Sequence, residues 1–91
     1  MFDVEIITPE KRVLKESAAQ VIAPGRDGFF GVLARHTPLF SILKDGPVRV
    51  DLENGEQKFF SVKGAMLEVD NNRLVILADS VKEEKPGAGK T

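Results

Sequence analysis

"PVRVDLENGEQKFFSVKGAMLEVDNNRLVILAD", residues 47 to 79, changes character at almost every second residue, and that period decides the fold. In PVRVDL, Val48, Val50 and Leu52 fall on one side and Arg49 and Asp51 on the other, the alternation of a half-buried strand. Glu53-Asn54-Gly55-Glu56 follows, with an Asn-Gly pair that readily takes the positive φ angles of a tight hairpin. QKFFSV returns at 57 to 62. KGAMLEVD then alternates Ala65, Leu67 and Val69 with Met66 and Glu68, and Asn71-Asn72 turns the chain into RLVILAD. Such a meander leaves little room for a crossover helix.

The first half carries the same period less evenly. FDVEII at 2 to 7 sets Phe2, Val4 and Ile6 against Asp3 and Glu5, and Thr8-Pro9-Glu10-Lys11 reads as a turn. RVLKESAAQVIA at 12 to 23 is ambiguous on propensity alone, but Val21-Ile22-Ala23 runs straight into Pro24-Gly25, so we expect a strand with a bend or bulge. Several short antiparallel strands with close turns point to a sandwich or barrel. RLVILA is apolar on both faces, and Val75 and Leu77 are expected to be shielded within the domain. Of the pairs Phe29-Phe30 and Phe59-Phe60, one ring should point in and its neighbour out, with Phe59 and Phe60 mostly core. SVKEEKPGAGKT at 80 to 91 reads as a polar tail.

Composition narrows the function classes. A chain of 91 residues holds one domain with a modest core. With no cysteine it has neither disulfide nor thiolate chemistry, and the single His36 cannot build a His-rich metal site. Thirteen Lys plus Arg balance 14 Asp plus Glu, too even for a binder that works by neutralising phosphates or anionic lipid. No apolar stretch approaches the roughly 20 residues that span a bilayer, and MFDVEIITPEK lacks the pattern of a signal peptide, so a soluble, intracellular protein is expected.

The candidate catalytic patterns are incomplete. GAGKT ends like a phosphate-binding loop, but the glycine required five positions before Gly89 is replaced by Glu84. His36 has Thr37 and Ser41 as nearby hydroxyls and Asp45 as a candidate orienter, without a glycine-framed nucleophile turn. An interface histidine, or one bonded to a backbone carbonyl, suits it better. Asp27, Glu53, Glu56 and Asp70 are explained by turns. The segment PGRDGFFGVLARHTPLFSIL, 24 to 43, remains, because it sets Phe29 and Phe30 between glycines and close to Arg35 and His36. Aromatic and Arg side chains at such a place suit a protein contact.

GFFGVLARHTPLFSILKDGPVRV resembles the G-x-x-G-[VI]-L-P-x-H-[AT]-P-L signature of the rotary ATP synthase epsilon subunit. VEIITPEKRVLKESAAQVIAPGRDG looks like the first two strands of that family, and FFSVKGAMLEVDNNRLVILADSV like its closing strands. The resemblance covers residues 2 to about 82. It implies an all-β fold, a flattened ten-stranded antiparallel β-sandwich of two five-stranded sheets, over 1–82 with a polar tail at 83–91. It also implies a non-catalytic rotor subunit of the central stalk, without cofactor, bound to the gamma subunit and the c-subunit ring and helping couple ion flow to ATP synthesis.

Carried over by position, Thr8, His36 and Ser41 would face gamma, and Phe29, Phe30 and Arg35 would lie toward the c-ring or stalk foot. Two departures stand out: the Phe29 position is commonly acidic in the family, and Ala34-Arg35 replaces a Pro-Gly or Pro-Asn pair. An aromatic there favours van der Waals or cation–π contact over charge pairing. Most family members continue into two C-terminal helices, so a chain ending at Thr91 would lack that helical brake. The resemblance places the subunit at the cytoplasmic face of the bacterial inner membrane, peripheral through its complex, without membrane insertion or nucleic acid, and as a monomer when isolated. The alternative from another class is a single-strand nucleic-acid-binding β-barrel using exposed Phe rings.

Overall fold

The structure, a computed structural model, describes residues 1–85. Seven strands form in chain order: β1 (Phe2–Ile7), β2 (Arg12–Gly25), β3 (Gly28–Leu33), β4 (Leu39–Ile42), β5 (Gly46–Leu52), β6 (Gln57–Asp70) and β7 (Arg73–Glu84). Among the described residues no helix is long and apolar enough to cross a membrane. The phosphate-loop question at GAGKT lies outside these residues.

The all-β expectation holds, and the ten-stranded antiparallel sandwich of two five-stranded sheets does not. Hydrogen bonds join the seven strands into one mixed sheet, ordered β1-β7-β6-β5-β2-β3, with β4 also on β6. β1 pairs antiparallel with β2 and parallel with β7, so the sheet closes on itself. The parallel pair is invisible to a local pattern, because β1 and β7 stand at opposite ends of the described chain, with the other five strands between them in sequence. The strand count fell short because long strands carry straight through places where the sequence reads as a break. QKFFSV and KGAMLEVD are one strand, β6, and β7 continues to Glu84.

Gly64 marks such a place. Its φ of 59° is left-handed, and a Cβ there would collide with the Asp79 carboxylate, so glycine alone fits. The Gly64 N–H donates to Asp45 Oδ1 at 3.1 Å. On that edge of β6, β4 and β5 follow one register: Leu39 faces Val69, Gly46 faces Val62, and the Leu43 N–H reaches Ala65 O at 2.9 Å between them. The expected irregularity in β2 is present as a register shift between Ala18 and Gln20.

The turns divide differently from expectation. At 52–56 only Gly55 takes positive φ (93°), with Gly55 N–H bonding Leu52 O and Asn54 Oδ1 accepting from Glu56 N–H at 2.8 Å. The turn with two consecutive left-handed residues is Asn71-Asn72 (φ 52° and 58°), joining β6 to β7.

The inner face holds one core, including Val4, Ile6, Val21, Val50, Phe60, Leu67 and Ile76, drawn from five strands. Phe60 is fully buried and Phe59 half-buried, while Phe30 packs on the core and Phe29 is exposed. The shielding expected for Leu77 is corrected: it is 46% exposed, with Val75 half-buried.

Candidate functional site

The outer face of β4, β6, β7 and β1 carries a row that only the register reveals. Ile42 pairs with Met66, Met66 with Leu77, and Leu77 with Ile7. Alternation sends all four away from the core, giving apolar side chains on four adjacent strands, with Ile42 60% exposed and Phe40 nearby on β4 at 61%. The strip is contiguous across four strands rather than scattered singly over the face, which makes it a candidate contact surface.

Thr8 sits at the Ile7 end of the row, beside a shallow cavity of about 330 Å³ that also touches Met66, Leu77 and Gly64. Its hydroxyl is engaged in the turn, donating to Lys11 O at 3.2 Å and accepting from Lys11 N–H at 3.3 Å. At the Ile42 end opens a groove of about 820 Å³ between the β2–β3 turn and β4, lined by Phe29, Phe30, Phe40 and Ser41, with Arg26 and Lys44. Ser41 Oγ makes only a long 3.4 Å bond to Ile42 O and is free to accept a partner's donor.

Arg35 and His36 lie elsewhere. The Arg35 N–H, on a residue with φ 62°, donates to Asn72 Oδ1 at 2.7 Å, and Asn72 Nδ2 donates to Met1 O at 2.8 Å. His36 Nδ1 lies 2.7 Å from Thr37 O. A carbonyl oxygen only accepts, so Nδ1 donates and Nε2 is left for another partner. The carbonyl-bonded histidine is therefore the observed one. Among the described residues no carboxylate bonds this ring, and Asp45 accepts from the Gly64 N–H instead, so the orienter a hydrolytic triad needs is not in place there. Among the described residues no three His, Cys, Asp or Glu side chains are grouped to hold a metal ion.

One charged cluster escaped the sequence reading. Glu5 points to the outer face of β1 yet is buried, held by Arg73 of β7 and by Arg12 of β2 at 3.1 Å. The hydrogen bond from Arg73 pulls its pKa below the ordinary 4.5, against the opposing effect of burial, and the charges of Arg73, Arg12 and Lys15 add to the lowering. Arg73 is raised in turn, chiefly by its bond to Glu5. The carboxylate thus ties β1 to both neighbours.

The family model for the ATP synthase delta/epsilon chain β-sandwich domain matches residues 1–84. The chain belongs to this family. It is 40% identical over 77 residues to the ATP synthase epsilon chain of Alkalilimnicola ehrlichii, covering 85% of this chain and 55% of that one. Against the epsilon chain of Chlorobium limicola the identity is 36% over 80 residues, covering 88% and 91%. The chain thus spans about half the length of the first relative and nearly all of the second. A chain in the Euglena gracilis mitochondrial ATP synthase (OSCP/F1/c-ring, rotational state 1) superposes with TM-score 0.83 at 21% identity, covering 88% of this chain and 51% of that one, a likeness of fold.

Within this epsilon-type domain, the expected contact residues form no single cluster. Ser41 joins Phe29 and Phe30 at the groove, Thr8 lies across the apolar row, and Arg35 is bonded to the β6–β7 turn. Ile7, Ile42, Met66 and Leu77 were missed. Their signal was present, since each is apolar at an outward position of its strand, but the partners across the sheet were not.

Proposed function

We propose that this chain is a non-catalytic rotor subunit of the central stalk of an F-type ATP synthase, binding the gamma subunit and the c-ring. In that role it helps couple ion flow to ATP synthesis, peripheral to the cytoplasmic face of a bacterial inner membrane and held there through its complex. Membership of the delta/epsilon family supports the reading. The observation that carries it is the outward apolar row Ile42–Met66–Leu77–Ile7 on a closed sheet. A rotor part must transmit torque without yielding, and a closed hydrogen-bonded sheet provides stiffness while the row provides grip.

On this reading gamma covers the row and approaches Thr8, His36 and Ser41 around it, with His36 Nε2 and Ser41 Oγ as polar partners. The c-ring or stalk foot meets Phe29 with Phe30 behind it, and Arg35 stands apart at the far end of β3, beside the β6–β7 turn. Aromatic contact is added to charge pairing there, because Phe29 projects 62% exposed from a groove that Arg26, Asp27 and Lys44 also line. Titration with the gamma subunit of the same organism tests the reading. A saturable one-to-one complex with a dissociation constant of about 10 µM or tighter, weakened by Ser41→Ala or His36→Ala, is expected. No binding by two folded proteins would overturn it.

A further inference from the structure

Among the described residues β3 is bonded only to β2, while β7 beyond Leu77 is bonded only to β6 and has its open edge blunted by Asp79, Lys82, Glu83 and Glu84. Closure of β1-β7-β6-β5-β2 gives each of those strands two neighbours, leaving β3 bonded only to β2 and β4 only to β6. β4 is blunted by its four-residue length and by Pro38 just before it. β3, GFFGVL, has six residues without charge or proline, and no backbone bond from it to another element joins its ladder with β2. Open strand edges normally carry a lysine, a proline or a bulge that discourages pairing. This one carries none.

Its pattern is also self-complementary. Val32 is fully buried and Phe30 packs on the core, so Phe29, Gly31 and Leu33 face outward. In a two-fold antiparallel pair centred on Gly31, Phe29 of one copy stands opposite Leu33 of the other, twice, on the outer face. Phe30 stands opposite Val32 on the inner face, and the two Gly31 residues meet at the axis, where the absence of side chains lets the strands approach. Phe29 and Leu33 are 62% and 58% exposed in the single chain, so the pair covers two large apolar side chains per copy with no like charges facing.

Against the isolated monomer that the family resemblance implies, we propose that the unassembled chain pairs weakly with a second copy of itself through β3, extending the sheet across a two-fold axis. Phe29 belongs to both this contact and the proposed stalk-foot contact, so the pair is a form of the free subunit that assembly displaces. A single strand edge covers less than the ~1,200 Å² of a standard stable interface, which makes the dimer weak.

Sedimentation from about 10 µM to about 1 mM tests this. The weight-average mass should climb from 10.0 kDa toward twice that value. Phe29→Lys and Leu33→Lys, both at exposed positions, should each weaken the dimer about tenfold or more by placing a charge at the edge. Hydrogen exchange on the unaltered chain gives an independent reading: β3 amides should gain protection as concentration rises, while β1 amides do not change. A chain that stays monomeric throughout, a dimer that survives both lysine changes, or β3 amides indifferent to concentration would overturn the proposal. None of these outcomes bears on binding to gamma.

Discussion

Two neighbouring rows cross the same outer face of the sheet, one mixing two carboxylates with apolar side chains and the other apolar throughout. One runs through Phe40, Glu68, Val75 and Glu5 and ends against Lys15 of β2. The other, two residues along each strand, runs through Ile42, Met66, Leu77 and Ile7 and ends against Arg12. The first completes itself at Glu5, whose charge is answered by Arg73 and Arg12 within the domain. The second has no such completion among the described residues, and its half-exposed apolar groups gain only when another surface covers them. Side chains of one face are thus divided into a part that holds the domain closed and a part that the domain itself leaves uncovered.

The inner side of the same strands sets the scale for breaking this comparison. Leu67 lies between Met66 and Glu68 on β6 and is fully buried, so Leu67→Ala should cost about 2–5 kcal/mol, measured by urea unfolding. A cost below about 1 kcal/mol would mean that the inner face is loosely packed and that the two sides of β6 differ less than the burial indicates. Leu77→Thr keeps a good strand former and should change stability by less than about 1 kcal/mol. It should still weaken gamma binding about tenfold or more, read by calorimetric titration. Glu68→Ala in the charged row serves as its control, with little change expected in either quantity.

Glu5→Gln sharpens the charged side. A carboxylate with a lowered folded pKa contributes stability that is present above its unfolded value and lost as pH falls through the folded one. The unaltered chain should therefore lose stability as pH drops below about 4.5. Glu5→Gln should be less stable at neutral pH and flatter across that acid range, measured as unfolding midpoint against pH. Equal slopes in both proteins would remove Glu5 from the account of how β1 is held. Apart from the Glu68→Ala control, the smallest effect is expected at Asn72→Gly. Glycine tolerates the left-handed φ, but the bonds to Arg35 and Met1 are lost, a net cost of about 0.5–1 kcal/mol.

How far the sequence could be read depended on the range of each interaction. Strand positions in the second half were legible because side chains alternate along PVRVDL and KGAMLEVD whatever lies beside them. Turn geometry was less legible: Asn54-Gly55 and Asn71-Asn72 both promised tight turns, and only the second has both residues left-handed, because loop length and bulges decide the type. The candidate contact residues came from the family resemblance, and the structure separates them among three places. Leu77 was misjudged because an apolar residue at an outward position looks the same in sequence whether a loop, a partner or water covers it.

By itself the sequence determined an all-β domain, the core-facing residues of β1, β5 and the second half of β6, and the family, since these rest on residue type and spacing along the chain. Only the tertiary structure decided that the seven strands close into one mixed sheet, that β1 lies parallel to β7, that Glu5 is clamped by two arginines, and that Ile42, Met66, Leu77 and Ile7 stand in line. Each of these joins residues far apart in the chain. Their proximity follows from hydrogen-bond register between strands, and register is set by the global closure of the sheet around its core, not by any local stretch.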